Sequence, residues 1–261
     1  MKIMIWHRPL VYFCATTALA APVAHAANTA REAQLSTGLH WSRGDYGEDT
    51  DTTMTAIPLA ARVRTPSWTA RVATTVLTID GPSNSRDGVV VTNVARTERQ
   101  SGLGDTWLSA TYHDAPHQAG TLFIDVTGKF KWPTGDDAKG LSTGTTDTDV
   151  RIDAFKRVDN VTLSSGIGYR WRNGGDADYD NSANAVVGLD LKWVPGVNVG
   201  ASFSGAQAAT TTSSGPREWL VYWSAKRPAN TRWMVYALHG LSTASPDVGI
   251  GITLSRTLDP R

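Results

Sequence analysis

The reading of this chain turns on Leu122-Phe123-Ile124-Asp125-Val126-Thr127-Gly128-Lys129-Phe130-Lys131-Trp132 and on its two flanking segments. These are Thr106-Trp107-Leu108-Ser109-Ala110-Thr111-Tyr112 before it and Thr148-Asp149-Val150-Arg151-Ile152-Asp153-Ala154 after it. Side chains on a strand alternate between two faces. In the central segment Leu122, Ile124, Val126, Gly128, Phe130 and Trp132 share one face, and Asp125, Thr127, Lys129 and Lys131 share the other. The charges lie well inside the segment, so one whole face must meet oil while the other meets water or other charges. An apolar exterior around a polar lumen is the arrangement of a transmembrane β-barrel.

Working outward, the same alternation predicts nine further strands, at residues 34–42, 53–64, 68–79, 161–171, 183–193, 197–207, 217–226, 232–241 and 248–258. Pro58 counts against the second of the twelve, because proline removes a ladder donor. Most are near the roughly 9–11 residues needed to cross a bilayer at a tilt. Connections after odd strands are long (43–52, 80–104, 133–147, 172–180, 208–216), and several after even strands are short (65–67, 158–160, 194–196). Long outer loops alternating with short periplasmic turns predict an all-β, up-and-down antiparallel meander of about twelve strands, with both ends of the barrel on the periplasmic side. Trp41, Trp132 and Trp171 fall at predicted outer strand ends, and Trp68, Trp193 and Trp233 at inner ends. Indole rings gather at membrane interfaces because they are apolar in body and polar at one N–H.

Residues 1–26 read as a signal peptide: Lys2 and Arg8 precede a mostly apolar run that ends at Ala24-His25-Ala26. Residues 27–261 are then the outer-membrane barrel. Cys14 lies inside the leader and follows bulky Val11-Tyr12-Phe13, which does not suit lipid attachment. As the only cysteine, it leaves residues 27–261 without disulfides or a cysteine-based zinc site. Removing Lys2 and Arg8 from the 25 basic residues leaves 23 against 24 acidic ones. That balance gives no electrostatic footprint for nucleic acid.

Gly102-Leu103-Gly104-Asp105, Lys131-Trp132-Pro133-Thr134-Gly135-Asp136 and Leu141-Ser142-Thr143-Gly144 resemble an outer-membrane transporter family associated with the meta-pathway of phenol degradation. The resemblance extends to Ser245-Pro246-Asp247. Ser142 stands where that pattern has glycine, and the chain ends Leu258-Asp259-Pro260-Arg261 rather than on an aromatic. The resemblance implies an outer-membrane barrel, and by association passage of hydrophobic or aromatic compounds. It supplies no catalytic site.

Alternation places Arg62, Arg71, Asp125, Lys129, Lys131, Asp149, Arg151, Asp153, Arg170, Asp190 and Lys192 on the lumen face. Such a lining either selects what passes or pairs with itself and closes the barrel. Counting in from the 133–147 loop puts Lys131 beside Asp149, and Lys129 beside Arg151 with Asp149 or Asp153 on the diagonal. His113 and His117 read as turn histidines rather than a metal pair. Residues 135–137 and 145–147, and the alternating Asp176, Asp178 and Asp180, are weak calcium candidates without the EF-hand order. Ser36, His40, Asp45 and His239 supply triad residue types, but no Gly-x-Ser-x-Gly elbow is present. The expectation is therefore a passive conduit in a Gram-negative outer membrane, with lipid as surroundings and no cofactor, metal or catalytic residue. A closed-lumen structural or binding protein is the alternative, and an outer-membrane hydrolase comes third.

Overall fold

The structure is a computed structural model that describes residues 32–92, 99–114, 122–175 and 179–258. The expected signal peptide lies outside the described residues, as do His117, Asp176 and Asp178. Fifteen strands follow one another along the chain: β1 (Glu32–Gly44), β2 (Thr52–Arg64), β3 (Trp68–Asp80), β4 (Ser83–Arg86), β5 (Val89–Thr92), β6 (Gln100–Leu103), β7 (Thr106–His113), β8 (Leu122–Trp132), β9 (Thr146–Val158), β10 (Val161–Asn173), β11 (Ser182–Val194), β12 (Val197–Ala206), β13 (Arg217–Arg227), β14 (Thr231–Gly240) and β15 (Val248–Leu258). Each barrel strand pairs antiparallel with its neighbours in sequence, and β1 pairs with β15. With β6 and β7 counted as one interrupted stave, the result is a closed barrel of twelve.

Pairing register separates the two faces. Outward positions carry Ile167, Trp193, Leu122 and Val221, which are 67%, 66%, 64% and 54% exposed. An apolar band that wide on a protein in water would be a large sticky patch, whereas in lipid it is the favourable surface. Trp41, Trp68, Trp132, Trp171, Trp193 and Trp233 all project outward, toward the ends of their strands. A closed ladder leaves no unpaired edge within the band. The folded barrel is therefore expected to resist SDS at room temperature and to shift its gel mobility after boiling. Identical mobility before and after heating would contradict it.

Two local features depart from simple alternation. Strand β2 runs straight through Pro58. The missing N–H is absorbed on the β1 side, where pairing skips between Thr37↔Leu59 and His40↔Ala56. On the stave formed by β6 and β7, Val76↔Leu103 is followed by Ala73↔Trp107, which is one residue out of step. This is a β-bulge. It turns both Gly104 and Asp105 inward and buries them. A side chain at Gly104 would press on Leu77 Cδ1 at 2.9 Å and Arg86 Nη2 at 3.1 Å.

The expected open outer loop at 80–104 is instead partly folded. Strands β4 and β5 form a hairpin whose turn residues, Asp87 (φ 52°) and Gly88 (φ 80°), both have left-handed backbones. Positive φ at both central positions defines the type I′ turn that asks for Asp-Gly. The hairpin is tucked into the outer half of the barrel: Ser83, Asn84 and Val89 are fully buried, and Asn84 Nδ2 donates to Gly140 O at 3.1 Å. Beside it, Leu141 from the 133–145 connection packs on the inward Met54, Ala56, Leu77 and Ile79. This apolar cluster is small and lies inside the barrel where two outer connections fold in, and a second one, Leu220, Met234 and Tyr236, lies on the inner face of β13 and β14.

Candidate functional site

Lys131 is the centre of the lumen network. Its side chain is 0% exposed, and its Nζ lies 3.2 Å from Asp87, 3.2 Å from Asp147 and 3.5 Å from Asp105. It donates to Thr143 Oγ1 and, at 3.3 Å, to Thr145 Oγ1. The ammonium also sits over the Trp107 ring, 5.7 Å from its centroid, and the Arg170 guanidinium approaches the same ring at 5.4 Å. Four separate pieces of chain supply these partners: the hairpin turn, the bulge, β9 and the end of the 133–145 connection. An ammonium this deep is tolerable only because carboxylates surround it.

The hairpin turn is held from a second side. Arg170 Nη1 donates to Asp87 O at 2.7 Å, and Arg172 Nη2 donates to the same oxygen at 3.1 Å. Burial opposes ionisation of the Asp87 carboxyl, but Lys131, Arg170 and Arg86 outweigh it and hold its pKa below the usual carboxylate range. A depressed carboxylate contributes stability that is present above the ordinary aspartate range and lost as pH falls through the lowered value. The Asp87 contribution to the latch is therefore present at neutral pH and is lost on acidification below the ordinary aspartate range.

All the residues assigned to the lumen from the sequence occupy inward register positions. They form no single site. Lys131, Lys129, Asp149 and Arg170 share the outer network: Lys129 is 3.7 Å from Asp149, and Arg170 is 3.4 Å from it. Arg151 pairs with Asp153 at 2.7 Å. Asp125 meets His113 at 2.8 Å, and that histidine also bonds Thr69 at 2.9 Å. Asp190 accepts from Asn198 at 2.9 Å and from the Tyr222 hydroxyl. Arg62 and Arg71 face each other near the inner end, and Lys192 is exposed at an irregular end of β11.

The expected pairing of Lys131 with Asp149 is corrected by one pair along the ladder. Lys131 faces Asp147, Lys129 faces Asp149, and Thr127 faces Arg151. Strand β9 begins at Thr146 because Thr143 and Thr145 turn inward onto Lys131, which shortens the connection. Asp87 and Arg172 were not singled out from the sequence, while Asp105 entered only within the resemblance motif and Asp147 only as part of a weak calcium candidate, neither as a lumen residue. Asp87 had a signal in its Asp-Gly turn, and Asp105 shares the inward face of Trp107, two residues on.

The other candidates do not assemble. His40 faces inward and stacks on Tyr236, with Nδ1 3.0 Å from its hydroxyl. His239 faces outward and bonds Asp247 O at 2.8 Å, so the two histidines do not converge on Ser36. Asp45 accepts from Gly47 N at 2.8 Å within its own turn. In the 133–145 connection, Asp136 accepts from Lys139 and Asp137 from Ala138, as in an ordinary loop. Asp180 follows directly on that pattern's undescribed members. Among the described residues no group of three His, Cys, Asp or Glu side chains is placed to hold a metal ion.

Below the hairpin, a cavity of about 70 Å³ is bounded by Asp87, Lys129, Arg151, Arg170, Tyr236 and Glu218, among others. A dry cavity that takes up benzene is about 150 Å³. With the hairpin seated, then, this space suits water rather than an aromatic ring.

No family model matches the chain, and no curated protein is similar to it. Among solved structures, an outer membrane channel from Pseudomonas putida F1 superposes with a TM-score of 0.70, over 92% of this chain and 100% of that one, at 14% identity. The fold is that of outer-membrane channels. The KdgM porin superposes with a TM-score of 0.52 at 8% identity, over 85% of this chain and 99% of its own. The same porin in complex with disordered oligogalacturonate gives 0.53 at 7% identity, with the same coverage. At these identities the likeness is one of architecture.

Proposed function

We propose that residues 27–261 form an outer-membrane channel for small polar or ionised solutes, exported by the signal peptide at 1–26, with the β4–β5 hairpin as its constriction. One observation carries this reading. The hairpin is latched across the lumen by ionic and carbonyl contacts to Lys131, Arg170 and Arg172 rather than by an extensive apolar seal. Polar latches of this kind are exchangeable for water and ions. The resemblance in sequence points to hydrophobic or aromatic compounds. The charged lining narrows that class to aromatics that carry an ionised group or hydroxyls, since a bare hydrocarbon gains nothing from such walls. Among the described residues nothing in the lumen brings together a nucleophile, base and oxyanion site, and no hydrolytic role is proposed.

The test is single-channel conductance in planar bilayers for the wild-type barrel and for a variant whose residues 83–92 are replaced by a short Gly-Ser linker. The variant is expected to conduct several-fold more than wild type. Equal conductance would remove the hairpin as constriction, and no conductance from either would favour a closed-lumen binding or structural barrel.

A further inference from the structure

The inner half of the lumen holds a feature that the outer network does not use. Arg62 on β2 and Arg71 on β3 are direct cross-strand partners, both inward. Their other lateral neighbours are Gln34 and Ser109, so no carboxylate flanks the pair in its row. Among the described residues, neither guanidinium has an ion-pair or hydrogen-bond partner. Among the described residues, the acids deeper in this half are engaged elsewhere: Asp125 by His113, Asp153 by Arg151, and Asp190 by Asn198 and Tyr222. Glu32, opposite Arg64 and one pair nearer the rim, reaches both Arg64 and Arg62 with its charge, so one carboxylate is shared between two guanidiniums and none acts on Arg71. Arg71 is nevertheless exposed, which at an inward position means that lumen water reaches it.

Like charges directly opposed across a ladder repel. Such a pair is stable next to water when an anion from solution shares it. Two guanidinium forks side by side offer parallel N–H donors that match a carboxylate in bidentate fashion. The row then continues across the wall from Arg71 to Ser109, Lys129, Asp149 and Arg170, each the register partner of the one before. Because barrel strands tilt by roughly 35–45°, such a row climbs as it goes round. It links the open inner half to the space beneath the hairpin, with Asp149 the one acid along it.

We propose that Arg62 and Arg71 form a carboxylate-binding site in the inner lumen, the first step of a basic staircase that selects organic anions. This rests on the channel reading and names its solute class. The experiment places wild type, Arg62→Gln/Arg71→Gln and Arg71→Lys in planar bilayers. It measures reversal potential in a potassium chloride gradient and block of the current by sodium benzoate added on the short-turn side. Wild type is expected to prefer chloride over potassium and to be blocked by benzoate. The double variant should lose that preference and need about tenfold more benzoate or above, as when charge-assisted hydrogen bonds are removed. Arg71→Lys should keep the preference for chloride, which follows charge, and be blocked less well, which follows fork geometry. A shift in gel mobility on heating confirms that each variant is folded. A conducting wild type whose selectivity and block are both unchanged in the double variant would overturn the site and leave the channel reading intact. If wild type does not conduct, the channel reading falls. Benzoate titration of the detergent-solubilised barrel by calorimetry then decides the site alone: heat lost in the double variant supports it, and no binding to wild type overturns it.

Discussion

Lys131→Ala is expected to lower the stability of the barrel by about 3–5 kcal/mol, the range for removing one partner from a buried charge cluster. Stranded charge, rather than lost contacts, sets the size of the effect. Asp87, Asp105 and Asp147 all lie within 3.5 Å of the ammonium, and the side chain is wholly buried. Without it three carboxylates face one another in a confined space, with Arg170 and Arg86 as the remaining cations acting on Asp87. The hairpin should detach first, because Asp87 is its charged anchor, and conductance should rise together with the loss of stability. Adding Asp87→Asn and Asp147→Asn to Lys131→Ala should recover part of the loss. Denaturant unfolding from lipid vesicles reads both effects. A loss below about 1 kcal/mol, the value typical of solvated surface pairs, would mean that water enters the cluster freely.

The second large effect concerns the outer face. Ile167 lies mid-strand on β10, 67% exposed and paired with Ile152 and Ala185. Ile167→Arg should cost about 2–4 kcal/mol, the range for an arginine at the bilayer midplane of a barrel. Ser202→Arg, on the inner face of β12 beside the lumen cavity, should cost far less. Thr127→Arg is a poorer control than alternation alone suggests, because Thr127 is buried opposite Arg151 and bonds Thr111 at 3.0 Å. Equal losses for Ile167→Arg and Ser202→Arg in vesicle unfolding would show that the apolar band does not lie in lipid.

The staves and their facings were legible in the sequence because both depend on a local period of two. Ile124 and Lys129 declare their faces from their neighbours alone. Pairing depends on where a connection ends, and residues 142–145 turn inward for a reason that is not local: they complete the shell around Lys131. Counting from the loop ends therefore placed Lys131 against Asp149 instead of Asp147. The hairpin escaped for a related reason. Strands of four residues carry too little alternation to show, although Asp87-Gly88 between Ser83-Asn84-Ser85-Arg86 and Val89-Val90-Val91 is a strong turn signal. What escaped was the bulge itself: the extra residue puts Gly104 and Asp105 on one face, where unbroken alternation from Leu103 would turn Asp105 outward.

The junction of β1 with β15 has a consequence for how the barrel is made. Ala33 pairs with Leu258 and Arg43 with Val248, and the Gln34–Thr257 side-chain bond spans 223 residues. Every other barrel pairing joins staves adjacent in the chain, apart from this one. Hairpin after hairpin is able to zip up as the chain arrives, but β1 has no second partner until the last strand has emerged and reached it. In that interval both β1 and β15 present an open row of N–H and C=O groups, a template on which a strand of any other unfinished barrel is able to add. A chain truncated before Val248 would keep that row open permanently, and it is expected to aggregate edge to edge rather than yield a smaller barrel.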